Sequence, residues 1–206
     1  MMGFILIAAA VLSLLSGGWS APVTNCDNLT QIIEIQGREQ LLGKWTYSAD
    51  SSHEAGSQSL TKLSLGTTWV KYTAAEENDT INVLQSQKMF GTCLGLRYSM
   101  TLENNTLSVE DPLTASMVLL STGCPDCLVI ASENTFGRSA YDSLMLLTRR
   151  NNVTAAEMEE FNKQAECLNL PSPVFLDSKK GFCTEESLYQ KTENLTSIAS
   201  DSFQAD

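Results

Sequence analysis

The chain has 206 residues and a formal net charge of −11, from 24 acidic and 13 basic residues. Its length suits one domain with a sizeable core and is too short for two. An acidic surface repels phosphate groups, and no basic stripe with interleaved aromatic residues occurs, so the composition argues against nucleic acid as a partner. The simplest explanation of the acidic composition is that it keeps the protein soluble, and the alternative is that some carboxylates steer a cationic ligand.

The first twenty residues have the pattern of a secretory signal. Phe4 to Leu15 form an apolar run too short to span a bilayer, and Gly18 and Ser20 place small residues before Ala21. We expect cleavage after Ser20, with a retained anchor helix as the alternative because no Lys or Arg precedes the run. No later run approaches spanning length, so the sequence predicts a secreted, extracellular protein with no stable membrane insertion.

Five Asn-x-Ser/Thr sequons in turn-like or terminal contexts predict a heavily N-glycosylated protein. They lie at Asn28, Asn78, Asn104, Asn152 and Asn194.

Six cysteines, an even number, predict three disulfides, although the sequence alone leaves their connectivity open. They are Cys26, Cys93, Cys124, Cys127, Cys167 and Cys183. The motif Cys124-Pro125-Asp126-Cys127 lies between two β-like runs, where a bridge across a Pro-Asp turn is favoured. Redox catalysis and metal binding are the alternatives, and the redox interpretation would require a strand that leads into a helix.

After a lead-in over residues 21–40, whose Ile32, Ile33 and Ile35 are expected to cover one end of the core, the pattern becomes β. We predict eight strands joined by short turns, at residues 44–52, 59–74 with an interruption near Gly66, 80–89, 92–102, 106–110, 115–122, 128–132 and 139–149. Simple up-and-down order favours closure into a barrel with room for one small ligand.

Alternation assigns the inward face of several strands. In the first strand Trp45, Tyr47 and Ala49 share one face. In the fourth, Leu94, Leu96, Tyr98 and Met100 lie on one side, whereas Cys93, Arg97 and Ser99 lie on the other. In the last strand one face carries Ser139, Tyr141, Ser143, Met145, Leu147 and Arg149.

A helix follows the strands. Thr154 and Glu157 form a capping box, and Met158, Phe161, Ala165 and Leu168 recur at helical spacing as a core-packing stripe. We predict about fourteen helical residues that end before Pro171 and pack outside the barrel. The domain then spans residues 21–185, and residues 186–206 form a polar tail that we expect to be disordered. The fold class is therefore all-β: an eight-stranded antiparallel up-and-down barrel with one C-terminal helix outside.

Gly43-x-Trp45 in the first strand, eight meandering strands, Arg149 at the end of the last strand and a following helix together resemble the lipocalin family. Within it, Cys93 and the stretches 103–108, 160–161, 166–171 and 179–185 resemble the α1-acid glycoprotein (orosomucoid) branch. Relatives of that branch include the fish tributyltin-binding proteins and the pufferfish saxitoxin- and tetrodotoxin-binding proteins, and a fish member of that group is the nearest resemblance.

The resemblance implies bridges from Cys26 to Cys167 and from Cys93 to Cys183, which leaves Cys124 with Cys127 as a departure from the mammalian pattern. It also implies a barrel floor at Gly43, Trp45 and Arg149, in which the guanidinium stacks over the indole.

The resemblance implies a ligand cavity lined by Tyr47, Ser139 and Tyr141. Inward parity adds Val70, Tyr72, Val83, Leu96, Tyr98, Met100, Leu107 and Val109. Ordinary barrel filling is the alternative at each position. Met89 and Val109 stand where the family carries basic residues, so its preference for drug-like or acidic ligands is not assumed here.

No Ser-His-acid arrangement, zinc spacing or Gly-rich phosphate loop can be assembled, and the single histidine, His53, lies in a Ser-rich turn. A prostaglandin D synthase type of lipocalin enzyme needs a free thiol inside the barrel, against which the even cysteine count argues. We therefore expect a monomeric, non-enzymatic protein without cofactor or metal.

The expected function is a secreted carrier, in blood plasma or another body fluid, that binds a small hydrophobic or amphipathic molecule such as a toxin, an organotin or other xenobiotic, or a lipid-like compound. One alternative is an acute-phase-type plasma glycoprotein that acts on cells or proteins through its surface and glycans. A third hypothesis is that reduced Cys124 and Cys127 capture a thiophilic organometal.

Overall fold

The structure is a computed structural model that describes residues 25–53, 67–89, 91–110, 114–175, 181–188 and 192–194. The predicted signal segment and its cleavage after Ser20 lie outside the described residues. So do the predicted strand interruption near Gly66 and much of the polar tail.

Eight of the described strands close into a barrel. Each pairs antiparallel with the next along the chain, and the last pairs with the first, which closes the sheet. The predicted fold class is confirmed, because closure leaves no barrel edge unpaired. The strands are β1 (Gly43–Ser52), β2 (Trp69–Ala74), β3 (Thr80–Met89), β4 (Thr92–Glu103), β5 (Thr106–Val109), β6 (Thr114–Leu120), β7 (Cys127–Phe136) and β8 (Ser139–Thr148).

A β-bulge at Ser48 changes the inward face of β1. Tyr47 pairs with Leu147 of β8, yet Ala49 pairs with Leu146, so Ser48 is an extra residue opposite β8. The expectation that Ala49 shares a face with Trp45 and Tyr47 is therefore wrong. Ala49 packs in the cluster outside the barrel, and Asp50 lines the interior instead.

The predicted helix is α2 (Ala155–Cys167), and its capping box forms as expected. Thr154 Oγ1 accepts from the Glu157 amide, and Glu157 Oε2 accepts from the Thr154 amide. Phe161 and Ala165 are buried against outward-facing residues of β1, β6, β7 and β8. None of the helices that the structure describes is long and apolar enough to cross a membrane.

The lead-in crosses the closed end of the barrel. It contains α1 (Cys26–Leu29) and a short 3-10 helix (Arg38–Gln40). The side chain of Asn105, in the β4–β5 turn, bonds the Ile35 amide and the Ile33 carbonyl. Of the three isoleucines expected to cover the core, only Ile35 is buried, because Ile33 and Ile32 are 37% and 55% exposed.

Arg149 closes the floor of the barrel. Its guanidinium carbon lies 3.5 Å from the centroid of the Trp45 ring. Its two terminal nitrogens donate to the carbonyl oxygens of Lys44 at 3.1 Å and Leu42 at 2.6 Å. Gly43 lies between these carbonyls at φ +102°, and a Cβ there would approach Arg149 Nη1 to 2.6 Å. The glycine is therefore required both by its backbone conformation and by the guanidinium beside it.

Three disulfides join all six cysteines in the pairing that the resemblance implies: Cys26–Cys167, Cys93–Cys183 and Cys124–Cys127. The first ties the lead-in to the end of α2, and the second ties the C-terminal segment to the outside of β4.

The C-terminal segment continues the fold beyond residue 185. It contributes β9 (Val174–Phe175) beside β1, α3 (Glu185–Leu188) and β10 (Thr192–Asn194), which pairs in parallel with β4. Leu188 is buried with Trp69 and Cys183 on the outer wall, and Trp69 Nε1 donates to the Cys183 carbonyl at 2.8 Å. Residues 186–188 and 192–194 were expected to lie in a disordered tail, but they are in α3 and β10. Leu188 is an apolar anchor that the segment's average polarity conceals.

Replacing Gly43 by alanine should destabilise the fold more than the same change at Gly91. Both residues have positive φ, but nothing lies within 4 Å of a Cβ at Gly91. Urea unfolding should give a loss of about 1 kcal/mol for Gly91→Ala and about 2–4 kcal/mol for Gly43→Ala, since the latter also displaces Arg149 from its carbonyl partners. Equal losses would mean that the guanidinium contact does not constrain this position.

The disulfides should differ in their contribution to stability according to the length of chain that each one closes. Cys26–Cys167 spans 141 residues and Cys124–Cys127 spans 3. Chain entropy predicts that replacing both cysteines by alanine lowers the free energy of unfolding by about 5 kcal/mol for the first pair and about 2 kcal/mol for the second. The reverse order in urea unfolding would contradict this account.

Candidate ligand-binding site

A cavity of about 330 Å³ opens inside the barrel, within the range of small-molecule pockets, about 300–1,000 Å³. The buried core around Trp45 fills the closed end, so the cavity occupies the part of the barrel that lies further along β1.

Most of the predicted ligand-binding residues line this cavity. Those that do are Tyr47, Tyr72, Leu96, Tyr98, Met100, Val109 and Tyr141. Val70, Val83 and Leu107 pack in the buried core and do not line the cavity. Alternation along a strand shows that a side chain faces inward but not how far along the barrel axis it lies. Ser139 is exposed at the start of β8. The side chain of Met89 lies outside the described part of the structure.

Sequence reasoning did not assign the polar side of the cavity. Asp50, Ser52, Gln85, Asn134 and Ser143 line it. Ser143 could have been found from the alternation of β8, whereas Asp50 and Ser52 face inward only because of the bulge at Ser48. The remaining lining residues that were not assigned are apolar: Ala115, Met117, Ile130 and Met145.

Three tyrosines form an aromatic group within the cavity. Burial is the main cause that raises the pKa of Tyr47, and the neighbouring Tyr98, Tyr72 and Asp50 raise it further. Burial also raises the pKa of Tyr72, with a further contribution from Tyr98, and raises that of Tyr98 to about 12. The three phenols are therefore neutral at physiological pH and can offer a ring face or a hydroxyl group to a ligand.

A row of serines crosses the opposite side of the barrel. Ser52 of β1 pairs in register with Ser143 of β8, which pairs with Ser132 of β7. The hydroxyls of Ser132 and Ser143 lie 2.7 Å apart, and Asn134 Nδ2 donates to them at 3.0 and 3.2 Å. β7 continues past its predicted end at residue 132 and pairs with β8 as far as Phe136. Its inward polar groups are satisfied inside the barrel by these mutual bonds.

Asp50 is the acidic group of the cavity. Burial raises the pKa of its carboxyl from 3.8 to about 6. No hydrogen-bond donor or cation among the described residues contacts this carboxylate, and no Lys, Arg or His is among the described residues that line the cavity. Because the Asp50 carboxyl is mostly buried and has no partner, its charged form is destabilised and its pKa is raised.

The Cys124–Cys127 motif forms a separate cluster outside the barrel. The sulfur atoms and the carboxylates of Asp126 and Glu157 lie within 4.8 Å of one another. The two cysteines are joined in a disulfide, and Arg150 donates to Asp126 at 2.7 Å and to Glu157 at 2.8 Å. The hydrogen bond from Arg150 lowers the pKa of Glu157. The cluster thus links the β6–β7 turn to the start of α2, with a guanidinium as its cation.

Four predicted glycosylation sites lie on the surface, since Asn28, Asn78, Asn104 and Asn152 are exposed. The side chain of Asn194 is outside the described part of the chain. His53 is also exposed, at the end of β1.

Replacing Asp50 by asparagine should stabilise the protein above pH 6. Between about pH 4 and 6 the native state holds a proton at Asp50 that the unfolded state has released, so wild-type stability falls as pH rises through this window. A shift of about two pKa units predicts that Asp50→Asn raises the free energy of unfolding by about 1–3 kcal/mol at pH 7.5 and by little at pH 4.

Urea titrations at both pH values would measure this gain, with Asp142→Asn as the control. Asp142 is exposed on β8, so its replacement should change stability by less than about 0.5 kcal/mol. A loss of stability for Asp50→Asn at pH 7.5 would contradict the burial cost.

No protein-family model matches the sequence, and no curated protein matches it. Solved structures match the fold. The siderocalin Ex-FABP, described as functioning through dual ligand specificities, aligns with a TM-score of 0.60 and 16% identity over 70% of this chain and 99% of its own.

A dog lipocalin allergen aligns with a TM-score of 0.57 and 15% identity over 71% of this chain and 99% of its own. An odorant-binding protein aligns with a TM-score of 0.60 and 13% identity over 74% of this chain and 99% of its own. This chain therefore has the lipocalin fold, a closed eight-stranded up-and-down barrel with a helix packed outside.

Proposed function

We propose that this protein is a secreted carrier that binds a small hydrophobic or amphipathic molecule inside the barrel. The observation that carries the proposal is the cavity of about 330 Å³, which lies above a closed floor and has both an apolar and a polar side. A barrel that served only as a scaffold would be more stable if side chains filled this space.

The two sides of the cavity would make different contacts with a ligand. Leu96, Met100 and Met145 supply apolar surface for a hydrophobic body, and methionine adapts to irregular shapes. The tyrosine rings and the polar groups around Ser143 and Asn134 would orient the polar end of the guest. Because Arg149 and Trp45 close the floor, the ligand would enter from the end where β1 finishes.

The similar structures support this assignment through their descriptions. One is a siderocalin with dual ligand specificities and another an odorant-binding protein, and small-molecule binding is what these descriptions share. The resemblance to the orosomucoid branch and its fish relatives extends the proposal to toxins, organotins and other xenobiotics, or lipid-like compounds, carried in plasma. All six cysteines are paired, so an organotin would bind in the cavity and not at free thiols.

A second candidate is a glycoprotein that acts on cells or proteins through its surface and glycans. The exposure of the four described sequon asparagines favours it. It differs from the carrier proposal in one measurable respect, because it requires no ligand in the cavity.

Saturable binding of the neutral probe N-phenyl-1-naphthylamine should separate the two candidates. We expect micromolar binding of the probe to the wild-type protein, measured by probe fluorescence. In Tyr47→Ala/Tyr98→Ala the affinity should fall at least about tenfold, because each substitution removes an aromatic ring from contact with the probe.

The control for this test is Phe175→Ala. Phe175 packs edge-on against Phe161 outside the barrel, so its loss should leave the dissociation constant within about twofold of the wild-type value even if stability falls. Absence of saturable binding to the wild-type protein would favour the surface glycoprotein.

A further inference from the structure

We propose that the Cys124–Cys127 disulfide is the closed form of a zinc site. When the disulfide is reduced, Zn²⁺ binds between the two cysteine sulfurs and the carboxylates of Asp126 and Glu157. These four residues are called the four-donor cluster below. The inference goes beyond the proposed carrier function, because the cluster lies outside the barrel and shares no residue with the lining of the cavity.

The first step is the chemistry of the donor set. In the four-donor cluster, the donor atoms of all four residues lie within 4.8 Å of one another. Zinc binds thiolate and carboxylate ligands in a tetrahedron, in which neighbouring donors are about 3.4–3.8 Å apart, so the carboxylates need to move by only about 1 Å. Calcium and magnesium ions prefer oxygen ligands alone, whereas paired thiolates select a thiophilic ion such as zinc.

The second step is the spacing of the two cysteines. Their Cα atoms lie 5.3 Å apart, and two intervening residues are a usual separation of paired cysteine ligands in zinc sites. Cys127 is the first residue of β7 and pairs with Thr148 of β8, and its amide donates to the Cys124 carbonyl at 3.4 Å. Once the bond between the sulfurs is open, rotation of the side chains can separate them to about 3.8 Å while the backbone stays in place.

The third step is the orientation of the carboxylates. Glu157 uses Oε2 in the capping box, where it accepts from the Thr154 amide at 2.7 Å, so its Oε1 faces the four-donor cluster and accepts from Arg150. Asp126 is held by its backbone, because its carbonyl accepts from the Arg149 amide at 3.0 Å. Both ligands are therefore positioned by hydrogen bonds that a metal ion would not disturb.

The fourth step is the cation that already contacts every donor. Arg150 Nη2 lies 3.1 Å from Cys124 Sγ, 3.8 Å from Cys127 Sγ and 2.8 Å from Glu157 Oε1, and its Nε lies 2.7 Å from Asp126 Oδ2. A disulfide is neutral, so one guanidinium offsets part of the charge of the two carboxylates. Two thiolates would add two negative charges at the same place, which a divalent ion compensates, with Arg150 as an outer partner.

The gating step is the exchange of the disulfide with a dithiol reductant. The Cys124–Cys127 bond breaks, the reductant loses two electrons and two protons as its own sulfurs join, and both cysteines become thiols. Zinc then displaces the two thiol protons. The side chains of Asp126 and Arg150 are 35% and 38% exposed, so both reactants can approach the buried sulfurs from this side.

Zinc titration of the purified full-length protein, before and after reduction, tests the proposal. The reductant is tris(2-carboxyethyl)phosphine, which is converted to its oxide and adds no competing thiol. Its concentration is set by mass spectrometry of alkylated peptides, so that Cys124 and Cys127 are free and the other four cysteines stay paired. We expect one zinc ion per reduced chain with a dissociation constant of about 1 µM or tighter, and binding at least about a hundredfold weaker before reduction.

Two variants with the same change in net charge locate the site. Glu157→Gln keeps the capping box, since glutamine also serves at this position, but it removes an anionic ligand and should weaken zinc binding at least about tenfold. Glu160→Gln is the control. Glu160 lies on the same helix and accepts from the Gly123 amide at 2.9 Å, outside the four-donor cluster, so its replacement should leave the affinity within about twofold.

Two further readouts identify the ligands and the folded state. Co²⁺ in place of zinc should give thiolate charge-transfer absorption in the reduced wild-type protein. Zinc at about a hundred times its dissociation constant should raise the melting temperature of the reduced protein by about 5–10 °C. The same zinc concentration should raise it much less in Glu157→Gln.

Four results would overturn the inference. They are equal zinc binding before and after reduction, equal losses in Glu157→Gln and Glu160→Gln, no thiolate absorption with cobalt, and opening of the other disulfides while Cys124–Cys127 stays closed. None of them affects the carrier proposal, because binding of the naphthylamine probe uses the cavity and no residue of the four-donor cluster.

Discussion

The contact between the Arg149 guanidinium and the first residues of β1 determines how the barrel closes. The guanidinium covers the Trp45 ring and binds the carbonyls of Leu42 and Lys44, which joins the end of the last strand to the start of the first. Trp45 is held in turn by its own hydrogen bond from Nε1 to the Leu41 carbonyl at 2.6 Å. The contact is partly withdrawn from water, and this desolvation lowers the pKa of Arg149, although arginine remains charged in proteins. A fixed floor allows the rest of the interior to stay hollow.

Above this floor, a single extra residue decides the chemistry of the cavity. Trp45 and Tyr47 continue the alternation of an ordinary barrel strand, but the bulge at Ser48 exchanges the two faces of the remainder of β1. Ala49 then packs outside with Phe175, which suits its small apolar side chain. Asp50 and Ser52 turn inward and extend the polar side formed by Ser143 and Asn134. The same strand therefore contributes to a sealed hydrophobic floor and to a polar wall, without any change in the topology of the sheet.

The sequence was sufficient to predict features that depend on local periodicity or on strongly constrained residues. Alternation in β4 correctly placed Leu96, Tyr98 and Met100 on the inward face and Cys93 on the outward face, where it meets Cys183. The capping box of α2 was also correct, because it depends on two residues three positions apart. The resemblance placed Gly43 in the barrel floor with Trp45 and Arg149, and the structure brings the Arg149 guanidinium against the Gly43 backbone.

Features that depend on tertiary geometry could not be predicted in this way. Parity does not distinguish Val70, in the packed core, from Tyr72, in the cavity lining, because both face inward at different positions along β2. A β-bulge cannot be recognised from the alternation of residues in one strand until the register with the partner strand is known, so Asp50 was assigned no role. Composition also concealed the anchor at Leu188, where one apolar side chain meets Trp69 on the outer wall within a segment that is polar on average.

The acidic residues of the chain have two different physical effects, depending on whether they are exposed or lie in the cavity. Most carboxylates of the described residues are exposed and raise solubility, and their effect on a ligand is screened within about 10 Å at ordinary salt concentrations. Asp50 is different because it is partly buried in the cavity wall and has no hydrogen bond or ion pair among the described residues, so its charge is poorly compensated. Burial of this charge lowers the stability of the protein above pH 6, because burial raises the pKa of Asp50 to about 6. Protonation of Asp50 and the stability of the barrel are therefore linked through one side chain.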